Sequence, residues 1–388
     1  MKAYERALAE KQYIVDLRRH FHSHPELSWQ EYATTERICE ELDKLSIPYN
    51  RLPKTGVIAT LKGTKKHPVI GLRADIDALP VKEVKDLPFK SLNEGVMHAC
   101  GHDSHMSMLL GAAKILSEHK EEVNCTVRFI FQPAEETIQG AKTLLNNTEV
   151  MECDNLFAIH IFPYIETGGI SVEEGPRFTS ADTIKFKIMG RGGHGSMPQD
   201  TVDPIVTSAA VINNLQAIVS REIDPRDTCV ISVCSIHSGS AANIIPNNVE
   251  MLGTVRTFNP KVREILPEKI ERVIAGTCET FRTTYEYEFI RGTPATINEP
   301  GSSARAERAV RDILGEEGLV RYEKPPGGED FAWLLEKKPG CLAFVGCRNE
   351  VNDQNYALHS ERFDLDEEAM VNGAALFVQY VLVTQDEI

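Results

Sequence analysis

Short apolar runs alternate with helical stretches along most of the chain. Four of the runs are rich in β-branched and aromatic side chains, which is typical of buried strands. These runs cover residues 69–74, 125–131, 156–159 and 341–345. A helical stretch lies between the first two, at about residues 104–119, with Asp103 placed to cap its N-terminus. Strands that alternate with helices predict an α/β domain with a mostly parallel central sheet.

The first 45 residues predict two helices, and Pro25 ends the first because proline disfavours helical conformation in the residue before it. Three histidines, His20, His22 and His24, lie close together in that helix. Residues two apart on a helix do not face one another, so a shared metal is not expected. We interpret these histidines as structural.

Residues 179–292 show a different order of elements. Alternating strand patterns occur at residues 183–189, 229–236, 249–257 and 284–290. Two helices lie among them, and each begins with a cap residue followed by proline, at Asp203 and Asn259. The resulting β-α-β-β-α-β order is ferredoxin-like. We therefore predict a small α+β domain at 179–292, inserted into a discontinuous α/β domain formed by 1–178 and 293–388.

Composition narrows the possible partners. The chain of 388 residues is longer than one hydrophobic core usually serves, which agrees with two domains. Its 42 Lys+Arg against 57 Asp+Glu give a net charge of −15, which argues against nucleic acid as a partner. No apolar run approaches the roughly 20 residues that span a bilayer, so no membrane partner is expected.

The nine cysteines and the N-terminal residues indicate the cellular compartment of the protein. The cysteines are odd in number, lie far apart and include no Cys-x-x-Cys pair, so we expect reduced thiols rather than a disulfide framework. No apolar segment of a secretory signal follows the N-terminus. The expected location is therefore cytoplasmic.

Potential metal ligands follow the ends of all four predicted strands of the larger domain. Ligands bind at the carboxyl ends of strands in open α/β sheets. The groups found there or in the loop before the long helix are Asp75, Asp77, His98, Cys100, His102, His105, Glu135, Glu136, His160 and His359. Imidazole, thiolate and carboxylate together fit Zn, Mn, Co or Ni and do not resemble an all-oxygen Ca or Mg site.

These groups do not all suggest the same role. Cys100 and His102 flank a glycine, which lets both side chains turn to one point. His105, at the start of the helix, is more consistent with supporting a ligand than with being one, and His98 allows the same interpretation.

The adjacent pair Glu135-Glu136 suggests a mechanism. In extended chain the two carboxylates point opposite ways, so one would bind metal and the other would face an activated water. A metal and a carboxylate base are what metal-assisted hydrolysis requires. A solvated acidic pair at a helix start is the alternative.

The predicted insert carries a histidine among four glycines, His194 in the segment 190–198. Asn243 links two of its strands, and Arg256 ends the next one. An imidazole, an amide and a guanidinium together suit the binding of a carboxylate and the polarisation of a carbonyl.

Four segments resemble the aminoacylase-type metallo-amidohydrolases, a group that includes hippurate hydrolases, N-acetyldiaminopimelate deacetylases and plant auxin-conjugate hydrolases. They are residues 73–80, 98–105, 131–136 and 190–198, with Cys-Gly-His-Asp and Pro-Ala-Glu-Glu as the specific signals. The resemblance implies a zinc-peptidase-like catalytic domain and an inserted dimerisation or lid domain. It also implies a homodimer formed through the insert and two divalent transition-metal ions per chain, whether Zn, Mn, Ni or Co.

The resemblance also implies roles for individual residues. The implied metal ligands are Cys100, His102, Glu136, His160 and His359. Glu135 is the implied general base, and His194 would reach the active site of the other subunit to steady the oxyanion. Asn243 and Arg256 would bind substrate.

One motif departs from the wider family, whose peptidase members have His-x-Asp after the first strand. This chain has Asp75-x-Asp77 there, so the usual first histidine ligand is absent. Asp75 is accordingly in doubt as a ligand, and Asp77 fits better as a carboxylate that orients the site.

The function expected from these residues is metal-dependent hydrolysis of the amide bond of N-acyl-amino acids, which releases a carboxylic acid and an amino acid. Two alternatives stay open. One is a metallo-dipeptidase or aminopeptidase with the same metal chemistry. The other is a non-catalytic conjugate-binding protein with a structural metal, which would be closed by four protein ligands.

Overall fold

The computed structural model describes residues 2–351 and 353–388. Its helices are α1 (Lys2–Ala9), α2 (Lys11–Ser23), α3 (Tyr32–Lys44), α4 (His102–Glu118), α5 (Gly140–Leu144), α6 (Thr148–Met151), α7 (Pro204–Ala217), α8 (Pro260–Phe281), α9 (Pro300–Leu314), α10 (Ala332–Leu335) and α11 (Glu368–Thr384). Its strands are β1 (Tyr49–Arg51), β2 (Val57–Lys62), β3 (Val69–Asp75), β4 (Thr126–Gln132), β5 (Asn155–Glu166), β6 (Ile170–Ser171), β7 (Gly175–Phe178), β8 (Ala181–Met189), β9 (Gly193–His194), β10 (Cys229–His237), β11 (Ile244–Ile245), β12 (Asn248–Thr257), β13 (Thr284–Thr293), β14 (Thr296–Asn298) and β15 (Gly340–Arg348).

The chain divides into two units. The first unit comprises Met1–Gly175, Ile297–Glu323 and Asp330–Ile388, and the second comprises Pro176–Thr296 and Lys324–Glu329. The boundaries expected from the sequence, 1–178 with 293–388 and 179–292, therefore need a correction, because 324–329 belongs to the second unit. The physical reason is a contact between distant parts of the chain, since the Thr179 N–H donates to the carbonyl of Gly327 at 2.9 Å.

A seven-stranded sheet forms the centre of the first unit in the described part of the chain, in the order β1-β2-β4-β3-β5-β15-β6. β4, β3, β5 and β15 are parallel, whereas β1, β2 and β6 pair antiparallel. This confirms the mostly parallel central sheet. The four parallel strands are the four that the apolar runs predicted, and their carboxyl ends lie at one edge.

Helix α4 is central to the first unit, where it packs against β3, α2 and α11. It is buried over most of its circumference, which agrees with its apolar sequence. The helix begins at His102 after Gly101, so the interpretation of Asp103 as its N-cap is wrong. The Asp103 carboxylate instead binds Arg18 and His22 in the protein interior, at 3.1 and 2.8 Å.

The second unit has an antiparallel sheet in the order β10-β12-β8-β13, with α7 and α8 packed on its apolar face. Along the chain the order is β8-α7-β10-β12-α8-β13, a ferredoxin-like arrangement. The side chains of Asp203 and Asn259 cap α7 and α8 by accepting from backbone N–H groups of the first turn.

Two further observations concern the whole described chain. Within residues 2–351 and 353–388, no helix combines the length and the apolar character that crossing a bilayer requires. The nine cysteines, all of which lie in these ranges, are free thiols, and eight of them are buried.

Candidate metal centre

The carboxyl edge of the parallel sheet brings the five expected metal ligands into two groups. Cys100, His102 and His160 form one group, in which the potential ligand atoms all lie within 4.8 Å of one another. Cys100, Glu136 and His359 form the other under the same limit. Since Cys100 belongs to both, the two donor groups adjoin at its thiol, and together they offer donors to two divalent cations.

The local backbone explains how residues so close in sequence reach one point. Gly101 has φ +85, which lets the chain turn sharply between Cys100 and His102. A side chain at this position would lie 2.4 Å from the Ile161 Cγ2 atom. His160 lies in β5 just beyond its pairing with β3, and His359 follows β15 in a loop and is exposed.

Two buried atoms test whether a metal fits here. Among the residues that the structure describes, His102 Nε2 and Glu136 Oε1 have no hydrogen-bond partner. A buried polar atom without a partner costs about 1–3 kcal/mol, so such atoms are rare in native proteins. A cation at this point would satisfy both. The imidazole, thiolate and carboxylate donors therefore fit divalent transition metals.

Hydrogen bonds orient the two buried imidazoles. His102 Nδ1 donates to the backbone carbonyl of Asp77 at 2.9 Å, and His160 Nδ1 donates to that of Ile161 at 2.6 Å. Each ring therefore keeps the lone pair of Nε2 for the centre. In the case of His160, Nε2 faces Cys100 Sγ at 3.5 Å.

His105 and Asp75 support the centre from behind. His105 Nδ1 donates to Asp75 Oδ1 at 2.6 Å, and His105 Nε2 accepts from the Ile161 N–H at 2.8 Å. Asp75 Oδ2 accepts from Arg73 at 2.7 Å. Both ring nitrogens and both carboxylate oxygens are thus bound within the protein, which agrees with a supporting role for His105.

Burial and neighbouring charges govern protonation. Burial raises the pKa of the Cys100 thiol well above its usual range and the pKa of Glu136 to about 7. Burial lowers the pKa of His102, but Asp75 and Cys100 outweigh it and hold that pKa well above the usual range. Without a cation, Cys100 and His102 therefore keep their protons at neutral pH and Glu136 is about half protonated. Cation binding would release these protons.

The candidate base Glu135 lies in the same cluster. Its Oε2 lies 4.0 Å from His102 Nε2, and Glu136 Oε1 lies 3.9 Å from the same nitrogen. The expectation that the two carboxylates point opposite ways is wrong, because residues 134–136 are not extended and Ala134 has φ +56. What separates the pair is hydrogen bonding, since Glu135 Oε1 accepts from the Asp330 N–H at 3.3 Å.

Asp77 holds this turn. Its Oδ1 accepts from the Glu135 N–H and its Oδ2 from the Glu136 N–H, both at 3.0 Å. Ser28 donates to Oδ2 at 2.6 Å. These bonds fix the Asp77 carboxylate against the backbone of residues 135 and 136.

Two buried acidic residues near the cluster were missed by sequence reasoning. The Asp330 carboxylate accepts from Arg73 at 3.0 Å and from Gln132 at 2.8 Å. Arg73, which lies in a predicted buried strand, could have indicated such a partner, because a buried charge requires a counterion. Glu31 binds the Ala134 N–H, and nothing in its sequence context indicated this.

His98 is buried beside the cluster. Neither of its ring nitrogens has a hydrogen-bond partner within the described chain. Burial lowers its pKa to about 4, so the ring is neutral at pH 7.

The other three expected site residues belong to the second unit. Gly193–His194 pairs with Ile244–Ile245, and the Gly195 N–H donates to the Asn243 carbonyl at 2.8 Å, so these segments adjoin. His194 is exposed and Arg256 half-buried. Burial lowers the pKa of Arg256, and across residues 2–351 and 353–388 no carboxylate pairs with it. The nearby Asp182 is already bound to Arg263 at 2.9 and 2.7 Å.

Comparison with known proteins gives consistent matches over nearly the whole chain. The model of peptidase family M20/M25/M40 matches residues 71–383. The N-acetylcysteine deacetylase of Bacillus subtilis (strain 168) is 38% identical, over 97% of this chain and 97% of the relative. Thermostable carboxypeptidase 2 of Saccharolobus solfataricus is 39% identical, over 93% of each chain. The crystal structure of the Bacillus subtilis YXEP protein, a dinuclear metal-binding peptidase from the M20 family, is 36% identical with a TM-score of 0.87, over 98% of this chain and 99% of that one.

Proposed function

Because the chain belongs to peptidase family M20/M25/M40, we propose that it is a metal-dependent hydrolase of the amide bond in N-acyl-amino acids. The products are a carboxylic acid and a free amino acid. The observation that carries this proposal is the pair of donor groups that share Cys100, with the carboxylate of Glu135 beside them. The similarity to an N-acetylcysteine deacetylase supports the class of substrate.

The five candidate ligands would hold two divalent transition metals, which supply the Lewis acidity that activates a water and polarises the acyl carbonyl. Glu135 accepts a proton from the attacking water through its carboxylate and then delivers it to the leaving amine nitrogen. Asp77 keeps Glu135 in place by accepting the N–H groups of residues 135 and 136. For the metal we propose Zn, Mn, Co or Ni, according to availability.

We propose that the second unit mediates a homodimer and that His194 of one subunit steadies the oxyanion at the site of the other. Two surface features support a dimer. β10 is an edge strand, so one side of its backbone is unpaired by the described strands of its sheet. The neighbouring helix α7 has no charged residue from Pro204 to Ala217 and exposes Ile205 and Val206.

Mixing two inactive variants tests this arrangement. Glu135→Gln and His194→Ala homodimers should both be nearly inactive. A mixed dimer holds one site with an intact Glu135 that receives the intact His194 of the other chain, so activity should return to about half of the wild type per mixed dimer. To detect mixed dimers, the two variants carry different affinity tags and are purified through both in turn. If the mixed dimers obtained in this way show no activity, His194 acts within its own chain and this part of the proposal fails.

We propose that Arg256 and Asn243 bind the carboxylate of the amino-acid half. Arg256 suits this role because it is half-buried and no carboxylate pairs with it in the described chain. The same recognition would serve a carboxypeptidase, and the similarity to a thermostable carboxypeptidase makes peptide cleavage the second candidate. We also propose a cytoplasmic location, since the free thiols suit a reducing compartment.

A substrate panel with metal analysis tests the proposed function. The panel contains N-acetyl and N-benzoyl amino acids, the same compounds with the carboxylate converted to an amide, and dipeptides. We expect two metal equivalents per chain, hydrolysis of the acyl-amino acids, and a KM raised about tenfold or more when the carboxylate is blocked. Turnover of dipeptides alone would favour the peptidase. One tightly held metal without any turnover would indicate a binding protein.

A further inference from the structure

A segment before α3 braces the turn that carries the candidate base. Leu27 pairs with Ala78 in a parallel β-bridge, and the Ala78 N–H donates to the Glu26 carbonyl at 2.8 Å. One residue further, Ser28 donates to Asp77 at 2.6 Å. The segment is thereby fixed to the residues that follow β3, next to the turn at 134–136.

Glu31, at the end of this segment, has a buried carboxylate that forms no ion pair within residues 2–351 and 353–388. Its side chain is fully buried. Oε1 accepts from the Ala134 N–H at 2.9 Å and from the Trp29 N–H at 3.0 Å. Oε2 accepts from the Thr55 hydroxyl at 2.6 Å. Glu31 therefore joins three separate parts of the chain, one of which leads directly into the candidate base.

Ala134 adopts a conformation that an alanine does not favour. Its φ of +56 lies in the left-handed region, where the Cβ atom crowds the backbone. The N–H groups of Ala134, Glu135 and Glu136 all bind carboxylates, the first that of Glu31 and the other two that of Asp77. Strained backbone of this kind persists where surrounding contacts determine it, and such contacts are often functional.

We propose that Glu31 is a positioning residue, whose carboxylate holds Ala134 in the left-handed conformation and thereby sets the direction of the Glu135 side chain. The inference rests on the proposed function, in which Glu135 is the general base. The Glu31 side chain itself contacts neither the candidate metal ligands nor Glu135. This role depends on the length of the Glu31 side chain and on its two acceptor oxygens. It depends less on the negative charge of the carboxylate.

Two substitutions separate shape from charge. In Glu31→Gln the amide oxygen can still accept from Ala134 and Trp29, and the amide nitrogen can donate to Thr55, so kcat should stay within about threefold of the wild type. Glu31→Asp keeps the charge but is one methylene too short to reach both Ala134 and Thr55. We expect kcat to fall about 100-fold, with KM and metal content unchanged.

A second change tests the role of the backbone. Glycine adopts positive φ as readily as negative φ. Adding Ala134→Gly to Glu31→Asp should therefore recover about tenfold of the lost kcat. Amide hydrogen exchange at residues 134–136, measured with and without metal, should be faster in Glu31→Asp than in Glu31→Gln. This readout does not depend on activity.

Glu26→Asp is the matched control, because it shortens a glutamate of the same segment. The Glu26 side chain accepts from the Ala33 and Thr34 N–H groups at 3.1 and 2.8 Å and so caps α3. Shortening Glu26 should weaken this cap and lower the stability of the protein, and it should leave kcat unchanged.

The outcomes separate the inference from the proposed function. The inference is overturned if Glu31→Asp retains more kcat than Glu31→Gln, if Glu26→Asp loses as much kcat as Glu31→Asp, or if Ala134→Gly recovers nothing. If the wild type hydrolyses no amide, the proposed function fails, and the exchange measurement alone then decides whether Glu31 holds the turn.

Discussion

The Glu135→Gln variant is expected to keep its metal and to lose about three orders of magnitude in turnover. Glutamine has the shape of glutamate, so its side-chain oxygen can still accept from the Asp330 N–H, and the Asp77 bonds to the backbone of the turn are unaffected. An amide cannot take a proton from water at neutral pH. The variant should therefore lose proton transfer and little else, and KM should change by less than about threefold.

The adjacent glutamate provides the control for this prediction. Glu136 Oε1 is a buried acceptor without a hydrogen-bond partner in the described chain, and Glu136 belongs to the group with Cys100 and His359. Glu136→Gln should lower both metal content and turnover. Elemental analysis and steady-state kinetics on the two variants distinguish a base from a ligand. Near-normal turnover of Glu135→Gln with its metal in place would contradict the mechanism.

The gathering of the candidate ligands could be predicted because it depends on topology. Parallel strands end at one edge, where Asp75 ends β3 and the turn at 135–136 follows β4. His160 lies within β5, just beyond the part of β5 that pairs with β3. Which residues face the centre and which support it depends on hydrogen bonds that the sequence does not show. For His105, the deciding observation is that both ring nitrogens are already bound.

Long-range partners were beyond sequence reasoning for the same reason. Glu31 and Ala134 are 103 positions apart, and only the folded chain brings them to 2.9 Å. The boundary of the second unit shows a similar limit, since contacts of Thr179 place residues 324–329 there. Local sequence patterns determine the helices and strands. Polar contacts between distant segments determine which role each side chain has.

Replacing Arg18 with methionine is expected to destabilise the first unit by about 3–5 kcal/mol. Arg18 is 1% exposed and binds three carboxylates, those of Asp103, Asp364 and Glu367, at 3.1, 2.8 and 3.1 Å. Methionine fills similar space but leaves two of these carboxylates, Asp103 and Asp364, buried without their guanidinium. The cost arises because these buried charges lose their guanidinium and keep only His22 beside Asp103, at 2.8 Å, and Lys85 near Asp364, at 3.5 Å. It therefore exceeds the worth of an exposed ion pair.

The next residue gives a matched control. Arg19 also binds Glu367, at 3.0 and 2.7 Å, but its side chain is 45% exposed. Arg19→Met should cost at most about 1 kcal/mol, because water competes for an exposed pair. Urea unfolding followed by tryptophan fluorescence measures both, and both tryptophans, Trp29 and Trp333, lie in the first unit. Equal losses of unfolding free energy in the two variants would show that the burial of Arg18 adds nothing to its contribution.

The pH dependence of the loss in Arg18→Met identifies its cause. Burial alone would raise the pKa of Asp364, but Arg18 holds it below its usual range. A lowered pKa contributes stability above the pKa of the unfolded chain, and this stability is lost as the pH falls through the folded value. In the variant, only Lys85 and the Leu365 backbone still oppose burial, so the pKa of Asp364 rises. The penalty is therefore largest at pH 7 and is relieved as the carboxylate takes a proton. The difference in unfolding free energy between wild type and variant should therefore narrow between pH 7 and about pH 4. A difference that does not change with pH would assign the loss to packing and not to unpaired charge.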